Sequence, residues 1–234
     1  MEIRIDVAKT PKFGFDISGD TVEAIERPGG GLSLIMADGQ GSGNAAKSLS
    51  SFVVNKAVGL IGDGARDGTV ASAVHDSLFA ARKGKVSASL TIISADLSDQ
   101  TIVISRNTNC PVIVQSDSEL TIIDDKTSSI GTEKVSRPSI SQVEMKPGLL
   151  VIAFTDGILN AGEWYGNQWD LREIISHIKD ASVGSTVSTA YYLLQKAIAA
   201  DEEKPKDDMT VACLSILPYG ASHRIRRMIV SMPL

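Results

Sequence analysis

The first part of the chain alternates apolar and polar residues and then changes to helical spacing. Alternation with a period of two covers residues 2–7 and 21–26, and a more apolar run follows at 32–37. Such runs are typical of β-strands with one buried face. After Asp38, glycines give way to apolar residues at helical intervals. This predicts a long helix starting just beyond Asp38 and a second helix over residues 69–82.

The middle of the chain is rich in strands. Six β-rich runs follow one another between residues 86 and 154, separated by turn signals such as Asn-Thr-Asn and Lys-Pro-Gly. Helices are predicted at about 171–179 and 186–201, and a last strand at 209–217. Consecutive strands without helices between them favour antiparallel meanders over a doubly wound parallel sheet. We predict an α+β fold, a four-layer α-β-β-α sandwich of two mainly antiparallel sheets flanked by helices.

The composition is that of a single large domain. The chain has 234 residues and is 43% hydrophobic, and no Pro- or Ser-rich linker divides it. We predict one domain over residues 1–218 and a separate tail over 219–234, which carries three arginines, no acid and apolar residues at its end. The tail is expected to pack on its own domain; the alternative is a docking arm for an acidic partner or a second subunit.

Charge and hydropathy exclude two classes of partner. The net charge is -5, which argues against nucleic-acid binding because a phosphate-tracking surface needs clustered Lys and Arg. The N-terminus has no apolar signal core, and no run reaches the ~18 apolar residues of a membrane span. We therefore expect a cytoplasmic protein that does not bind membranes. Cys110 and Cys213 lie in or beside apolar runs and are predicted to be buried, reduced thiols.

Four aspartates carry the candidate chemistry. Each stands at the end of a hydrophobic run beside a glycine or a second acid: Asp20, Asp38, Asp156 and Asp207. Carboxylates are hard oxygen ligands suited to Mg²⁺ or Mn²⁺, and a neighbouring glycine lets the backbone turn toward an ion. If the strands beside them share one edge of the sandwich, Asp38 could bridge two cations. Two such ions, about 3.5 to 4 Å apart, activate a bridging water and clamp phosphoryl oxygens for in-line displacement.

Motifs for other hydrolytic mechanisms are missing from the sequence. It contains no Gly-x-Ser-x-Gly elbow, no Cys-x5-Arg loop and no His-Glu-x-x-His pair. The three histidines, His75, His177 and His223, are scattered and are expected to be structural or solvated, with His75 the one to test for proton transfer. Metal-assisted hydrolysis needs no protein nucleophile, so it agrees with these absences.

Five short sequence motifs within residues 14–217 resemble those of a known family when they are taken in order. They are Ser18-Gly19-Asp20, Asp38-Gly39-Gln40-Gly41-Ser42-Gly43, Ala88-Ser89-Leu90-Thr91, Phe154-Thr155-Asp156-Gly157-Ile158 and Asp207-Asp208-Met209-Thr210-Val211. This set resembles the metal-dependent protein phosphatases of type 2C, and among them the bacterial sporulation stage II E-like branch. The resemblance implies the same α-β-β-α sandwich. It also implies hydrolysis of phosphoserine or phosphothreonine with two Mn²⁺ or Mg²⁺ ions.

The resemblance also implies a role for each acid. Asp38 would bridge the two metals, and the carbonyl of Gly39 would ligate one of them. Asp156 and Asp207 would hold the other ion, and Asp20 would sit at the second ion directly or through water. By this correspondence Asp38, Asp156 and Asp207 are the catalytic residues. Asp20 and Gly39 join them as metal ligands.

Two details concern neighbouring positions. Asp207 is preferred over Asp208 because the family's usual Asp-Asn pair aligns its first member with Asp207, which leaves Asp208 as a supporting or capping acid. The phosphate-holding arginine of the eukaryotic enzymes has no clear equivalent here, although Arg4 and Lys12 lie near that part of the chain. The phosphate would then be held by the ions.

Within the family, the short chain resembles the stressosome feedback phosphatase of the regulator of sigma-B X type. No sensor or membrane module is expected to be attached to it. The resemblance implies a phosphorylated protein substrate, a scaffold or antagonist protein built on sulfate-transporter and anti-sigma-antagonist domains. The polar segment at 124–137 would either shape the choice of substrate or serve as a plain connector. The oligomeric state is left open.

Two other functions compete with this interpretation. A nucleotide-binding protein is suggested by Gly41-x4-Ala46-Lys47-Ser48, which misses a Walker A loop by one glycine. Against it stand Ala46, the nearby charge of Asp38 and the non-βαβ order of elements, and Lys47 is expected on the exposed side of the first helix. The second alternative is a non-catalytic regulatory module that binds phosphoproteins, although all four acids are present.

Overall fold

The computed structural model describes residues 1–116, 119–167, 169–182 and 188–218. The tail at 219–234, including His223, lies outside the described residues. Ten strands and five helices occur within the described part of the chain. Their bounds are β1 Glu2–Thr10, β2 Asp20–Glu26, β3 Gly31–Asp38, α1 Gly43–Gly62, α2 Asp67–Arg82, β4 Leu90–Asp96, β5 Thr101–Asn107, β6 Val112–Ser116, β7 Glu119–Ile123, β8 Ser139–Glu144, β9 Leu150–Phe154, α3 Asp156–Leu159, α4 Leu171–Ser182, α5 Thr189–Ala200 and β10 Met209–Leu217.

The strands form two five-stranded sheets. One sheet has the order β1-β10-β9-β6-β7 and the other β2-β3-β4-β5-β8. Every pair of neighbouring strands in them is antiparallel. The predicted antiparallel meanders are confirmed, and the described strands contain no βαβ unit of the kind that a Walker A loop requires.

The two sheets stack face to face between two layers of helices. In β3, alternate residues point to opposite faces, so Leu34 and Met36 enter the core between the sheets while Ile35 and Ala37 pack under the helices. Helices α1 and α2 cover the sheet that contains β3. Helices α4 and α5 cover the other sheet, with Ile174 and Leu193 among the buried residues of a third core cluster. The predicted four-layer α-β-β-α sandwich is confirmed.

Some bounds differ from the prediction. Strand β1 continues to Thr10 because its pairing with β10 continues there, opposite Met209. A four-residue helix, α3, starts at Asp156, and a 3-10 turn covers Glu163–Tyr165; neither was predicted. Helix α5 is described from Thr189, and the predicted start at 186 lies outside the described residues.

Two further expectations concern thiols and membranes. Cys110 and Cys213 are both free and buried, as predicted. Burial raises the pKa of the Cys110 thiol to about 12, and it raises the pKa of Cys213 as well. Among the described helices, none combines the length and the apolar character that a membrane span requires.

Candidate metal site

The four predicted acids meet at one edge of the sandwich. Asp20 begins β2 and Asp38 ends β3, and the two are direct partners in the antiparallel register. On the other sheet, Asp156 follows the end of β9 and Asp207 precedes β10. Because β9 and β10 are antiparallel neighbours, the end of one lies beside the start of the other. The structure therefore brings together acids from four separate segments of the chain.

Negative charge is concentrated at this edge. Burial, and then the charges of Asp20, Asp156 and Asp207, raise the pKa of Asp38 to about 9. Burial likewise raises the pKa of Asp20 to about 6, and it raises the pKa of the more exposed Asp207. Several carboxylates that disfavour one another's ionisation form an environment that a divalent cation would stabilise.

Asp20 is fixed by two threonines from the opposite sheet. The hydroxyl of Thr210 donates to Asp20 Oδ2 at 2.6 Å, and that of Thr155 donates to the same oxygen at 3.0 Å. Thr155 Oγ1 itself accepts the backbone N–H of Thr210 at 3.0 Å, which directs its own proton to Asp20. Asp20 is fully buried, and its Oδ1 has no hydrogen-bond partner among the described residues. One oxygen is thus held in place while the other is left for a ligand.

The two threonines were not among the predicted site residues. Both stand inside the motif words that carried the resemblance, Thr155 directly before Asp156 and Thr210 two residues after Asp208. A hydroxyl beside a buried acid is a common hydrogen-bond donor. The presence of the two threonines inside these motifs was therefore the sequence signal from which their contacts with an acid could have been predicted.

The backbone around Asp38 and Gly39 is held by residues 87–89. The N–H of Ser89 donates to the Asp38 carbonyl at 2.9 Å, and the Asp38 N–H donates to Ser89 Oγ at 3.2 Å. Gly39 pairs with Ala88 in a β-bridge. A side chain at Gly39 would collide with the carbonyl of Ala46 in α1, so the close approach of the helix requires glycine here.

A second backbone contact supports residues 87–89 from the other side. Ala88 and Ile130 exchange two backbone hydrogen bonds of 3.0 and 2.9 Å. The next residue, Gly131, donates its N–H to His75 Nδ1 at 3.2 Å. His75 is buried in α2, and its Nε2 has no partner among the described residues. The structure gives His75 a backbone-holding contact at the polar segment 124–137, which has no regular structure apart from the bridge at Ile130.

Asp207 and Asp208 have different surroundings. Asp208 is buried, and its Oδ1 accepts the Lys12 N–H at 3.0 Å. Asp207 is exposed and lines a cavity of about 120 Å³ together with Asp156. The N–H of Asp208 donates to Asp207 Oδ1 at 2.9 Å. Asp207 is therefore the acid that faces the open side of the site, and Asp208 anchors the segment that follows β1.

The prediction for Lys47 is wrong. Its Nζ is partly buried against β2 and donates to the Asp20 carbonyl at 2.9 Å and to Thr21 Oγ1 at 2.8 Å. The long side chain reaches across from α1, which local helical spacing cannot show. Lys47 thus fixes the backbone of Asp20.

The oxygen donors fit a hard divalent cation. The converging groups are carboxylates and backbone carbonyls, which suit Mg²⁺ or Mn²⁺ rather than softer metals. Among the described residues, no three His, Cys, Asp or Glu side chains converge closely enough to enclose an ion by themselves. A metal such as Mg²⁺ keeps several waters, so a sparse protein ligand set is compatible with it. The buried Oδ1 of Asp20 is an acceptor that such an ion or its water would satisfy.

Comparison with known proteins relates this arrangement to one family. The sequence model of the family described as stage II sporulation protein E (SpoIIE) matches residues 28–217. No curated protein sequence matches the chain significantly.

Many solved structures share the fold, and three of them are compared with this chain. The PP2C phosphatase domain of SpoIIE from Bacillus subtilis, with a fragment of its regulatory domain, has a TM-score of 0.79 and 18% identity; the match covers 92% of this chain and 64% of that one. RsbX in complex with magnesium has a TM-score of 0.69 and 19% identity, with 91% and 94% covered. The serine/threonine phosphatase PstP/Ppp of Mycobacterium tuberculosis has a TM-score of 0.71 and 16% identity, with 92% and 99% covered. The chain thus spans slightly less than two thirds of the SpoIIE fragment.

Proposed function

We propose that this chain, which belongs to the stage II sporulation protein E (SpoIIE) family and has the fold of PP2C phosphatases, is a metal-dependent protein serine/threonine phosphatase. It would remove the phosphoryl group from phosphoserine or phosphothreonine with two Mn²⁺ or Mg²⁺ ions. The family match covers residues 28–217, and these include Asp38, Asp156 and Asp207.

One observation carries the proposal. Asp20, Asp38, Asp156 and Asp207 come from four separate segments, and they lie close enough for the charges of Asp20, Asp156 and Asp207 to raise the pKa of Asp38. Crowding of this kind destabilises the metal-free site, since neighbouring negative charges disfavour the ionised form of Asp38. A fold that keeps such a cluster has a use for the cations that neutralise it.

Each residue has a defined part in this proposal. Asp38, the Gly39 carbonyl, Asp156 and Asp207 would hold the metals, with Asp20 placed at one ion directly or through water. When bound, two divalent cations supply a water that is nucleophilic near neutral pH and positive charge for the phosphoryl oxygens. Thr155 and Thr210 hold Asp20 Oδ2, so its Oδ1 keeps a fixed direction.

The overall reaction is hydrolysis. Water oxygen forms a bond to phosphorus while the bond from phosphorus to the serine or threonine oxygen breaks. The protein hydroxyl leaves with a proton from water, and inorganic phosphate is released. Asp20 is fully buried at this edge, and burial strengthens the electrostatic interactions of its carboxylate.

We propose a phosphorylated protein as the partner. By its resemblance to the regulator of sigma-B X type, and in line with its structural likeness to RsbX, the substrate would be an anti-sigma-antagonist or stressosome scaffold protein. The described domain would then be the catalytic part. The tail at 219–234 would either pack on this domain or act as a docking arm. Nucleic acid is not a proposed ligand, given the net charge of -5.

A metal-dependent assay tests the proposal. We expect the protein to hydrolyse p-nitrophenyl phosphate and a phosphoserine peptide in the presence of Mn²⁺, and to lose both activities in EDTA. Asp38→Asn removes the central carboxylate and should lower the rate at least ~100-fold, as loss of one group that stabilises the transition state does. Asp99→Asn is the matched control, since Asp99 is an exposed acid outside the site.

Two different results would contradict the proposed function. Activity that persists in EDTA or in Asp38→Asn would exclude the two-metal mechanism. Mn²⁺ binding in calorimetry without hydrolysis of any phosphorylated substrate would instead support the non-catalytic regulatory module.

A further inference from the structure

A short turn beside the acids displays a tryptophan to solvent. The 3-10 turn Glu163–Tyr165 is flanked by Gly162 and Gly166, both in the left-handed region with φ of 78° and 70°. Trp164 at its centre is 79% exposed. Exposing most of an indole in water is unfavourable, because this side chain gains more from burial than almost any other.

The turn is firmly attached to the segment that carries Asp207. Asp201 is buried, and its two carboxylate oxygens accept one backbone N–H each, from Gly162 at 2.7 Å and from Lys206 at 2.8 Å. The Nζ of Lys206 also lies 4.8 Å from the centre of the Tyr165 ring. These contacts fix the position of Trp164 relative to Asp207.

Trp164 shares a cavity with the proposed metal ligands. The cavity of about 120 Å³ is lined by Asp156, Asp207, Glu163 and Trp164, among others. A phosphorylated side chain that reaches these acids must bring its neighbouring residues over the same cavity. The indole is therefore placed to contact whatever flanks the phosphorylated residue.

A second apolar surface lies on the segment between β1 and β2. Phe13, Phe15 and Ile17 are 60%, 44% and 44% exposed. This segment is tied to the site, because the Lys12 N–H donates to Asp208 Oδ1 and the Phe13 N–H donates to the Pro205 carbonyl at 2.8 Å. Exposed apolar side chains thus occur on two independent segments next to the acids, which indicates a contact surface for another molecule.

We propose that Trp164 is a specificity-determining residue that binds an apolar side chain close to the phosphoserine or phosphothreonine of the protein substrate. The inference rests on the proposed function and names the kind of sequence that the site accepts. The apolar choice follows from the exposed indole surface. A substrate that carries leucine, valine or phenylalanine next to the phosphorylated residue matches this surface.

Peptide selectivity provides the first test. Phosphoserine peptides with a single leucine placed at each of three positions on either side of phosphoserine are compared with the all-serine peptide. At the best position we expect wild type to favour leucine roughly tenfold in kcat/KM, the effect of partly burying one leucine side chain. Trp164→Ala should reduce that ratio to about one, and Trp164→Phe should keep most of it, since the aromatic surface is retained.

The control variant and the refuting result are both judged by the leucine preference, the ratio of kcat/KM for the leucine peptide to that for the all-serine peptide. Tyr191 is a 52% exposed aromatic residue on α5, so Tyr191→Ala should leave the leucine preference at the wild-type value. If Trp164→Ala lowers kcat/KM equally for the leucine peptide and the all-serine peptide, the ratio of the two values is unchanged. Trp164 is then a structural residue, and the proposal is wrong.

A binding measurement separates this proposal from the proposed function. With Mg²⁺ present, a leucine-containing peptide that carries a non-hydrolysable phosphonate in place of phosphate should shift the tryptophan emission of wild type. The shift should be absent in Trp164→Phe, which retains Trp169. If wild type hydrolyses nothing but the emission shift occurs, the catalytic function fails and the Trp164 contact stands. If hydrolysis occurs without the shift, the Trp164 contact is refuted.

Discussion

The hydroxyl of Thr210 offers a direct test of how the acid cluster is held. The change Thr210→Val is nearly isosteric and removes one hydrogen-bond donor from a fully buried carboxylate, Asp20. The 2.6 Å distance is typical of a strong hydrogen bond to a charged acceptor. After the change, Thr155 alone donates to Asp20 Oδ2.

The expected loss follows from this geometry. A hydrogen bond to a charged group contributes about 1.5 to 3 kcal/mol, and the remaining oxygen cannot turn to water because Asp20 has no solvent exposure. We expect the free energy of unfolding of the metal-free protein to fall by about 2 kcal/mol. For a protein of this size that corresponds to a melting temperature lower by ~4 to 8 °C.

Thermal and urea unfolding in EDTA provide the measurement. Thr121→Val is the matched control, because Thr121 is an exposed threonine on β7 and the same change there should shift stability by no more than about 0.5 kcal/mol. Equal stabilities of the two variants would refute the view that Thr210 holds a charged Asp20. Saturating Mn²⁺ should stabilise wild type more than Thr210→Val if Asp20 also faces an ion.

Two further predictions concern residues away from the acids. His75→Leu removes the acceptor of the Gly131 N–H, which should loosen residues 87–89 and weaken Mn²⁺ binding in calorimetry about three- to tenfold. His75→Asn keeps an acceptor near the δ position, so it should restore most of the affinity. Equal Mn²⁺ affinities in the two variants would contradict this prediction. Burial raises the pKa of the Cys110 thiol to about 12, so the thiol stays protonated over the ordinary pH range. Iodoacetamide at pH 8.5 should therefore modify Cys110 only after unfolding. Rapid modification of the native protein would instead show that the thiol is accessible.

The architecture was predictable because its signals are local. Alternation in residues 2–7 and 21–26 reports a buried face, and the succession of strands without helices indicates antiparallel pairing. Helix α3 could not be found in this way, since the four residues that start at Asp156 contain only one helical turn. The end of β1 at Thr10 depends on its partner Met209, which is distant in the sequence.

The same difference between local signals and contacts with distant residues applies to the candidate site. Asp20 and Asp38 were found because each ends or begins an apolar run beside glycine. The hydroxyl of Thr210 reaches Asp20 from the other sheet, so no local pattern contains that contact. The wrong prediction for Lys47 has the same origin, because its partner, the Asp20 carbonyl, lies on a different element. Trp164 was missed since its exposure is set by the turn that presents it.

The pairing of β1 with β10 has a consequence for the order of folding. Strand β1 precedes the other described strands in the chain, yet its hydrogen-bonding neighbour in the sheet is the last strand described. Asp20 and its donor Thr210 are 190 residues apart in the sequence. Contacts of such long range form slowly. Until β10 docks, Asp20 lacks a donor that fixes it and Asp207 is not yet beside Asp156. A nascent or truncated chain can therefore complete the sheet of β2, β3, β4, β5 and β8 before the four acids are assembled. Under the proposed function, metal affinity would then report whether folding is complete.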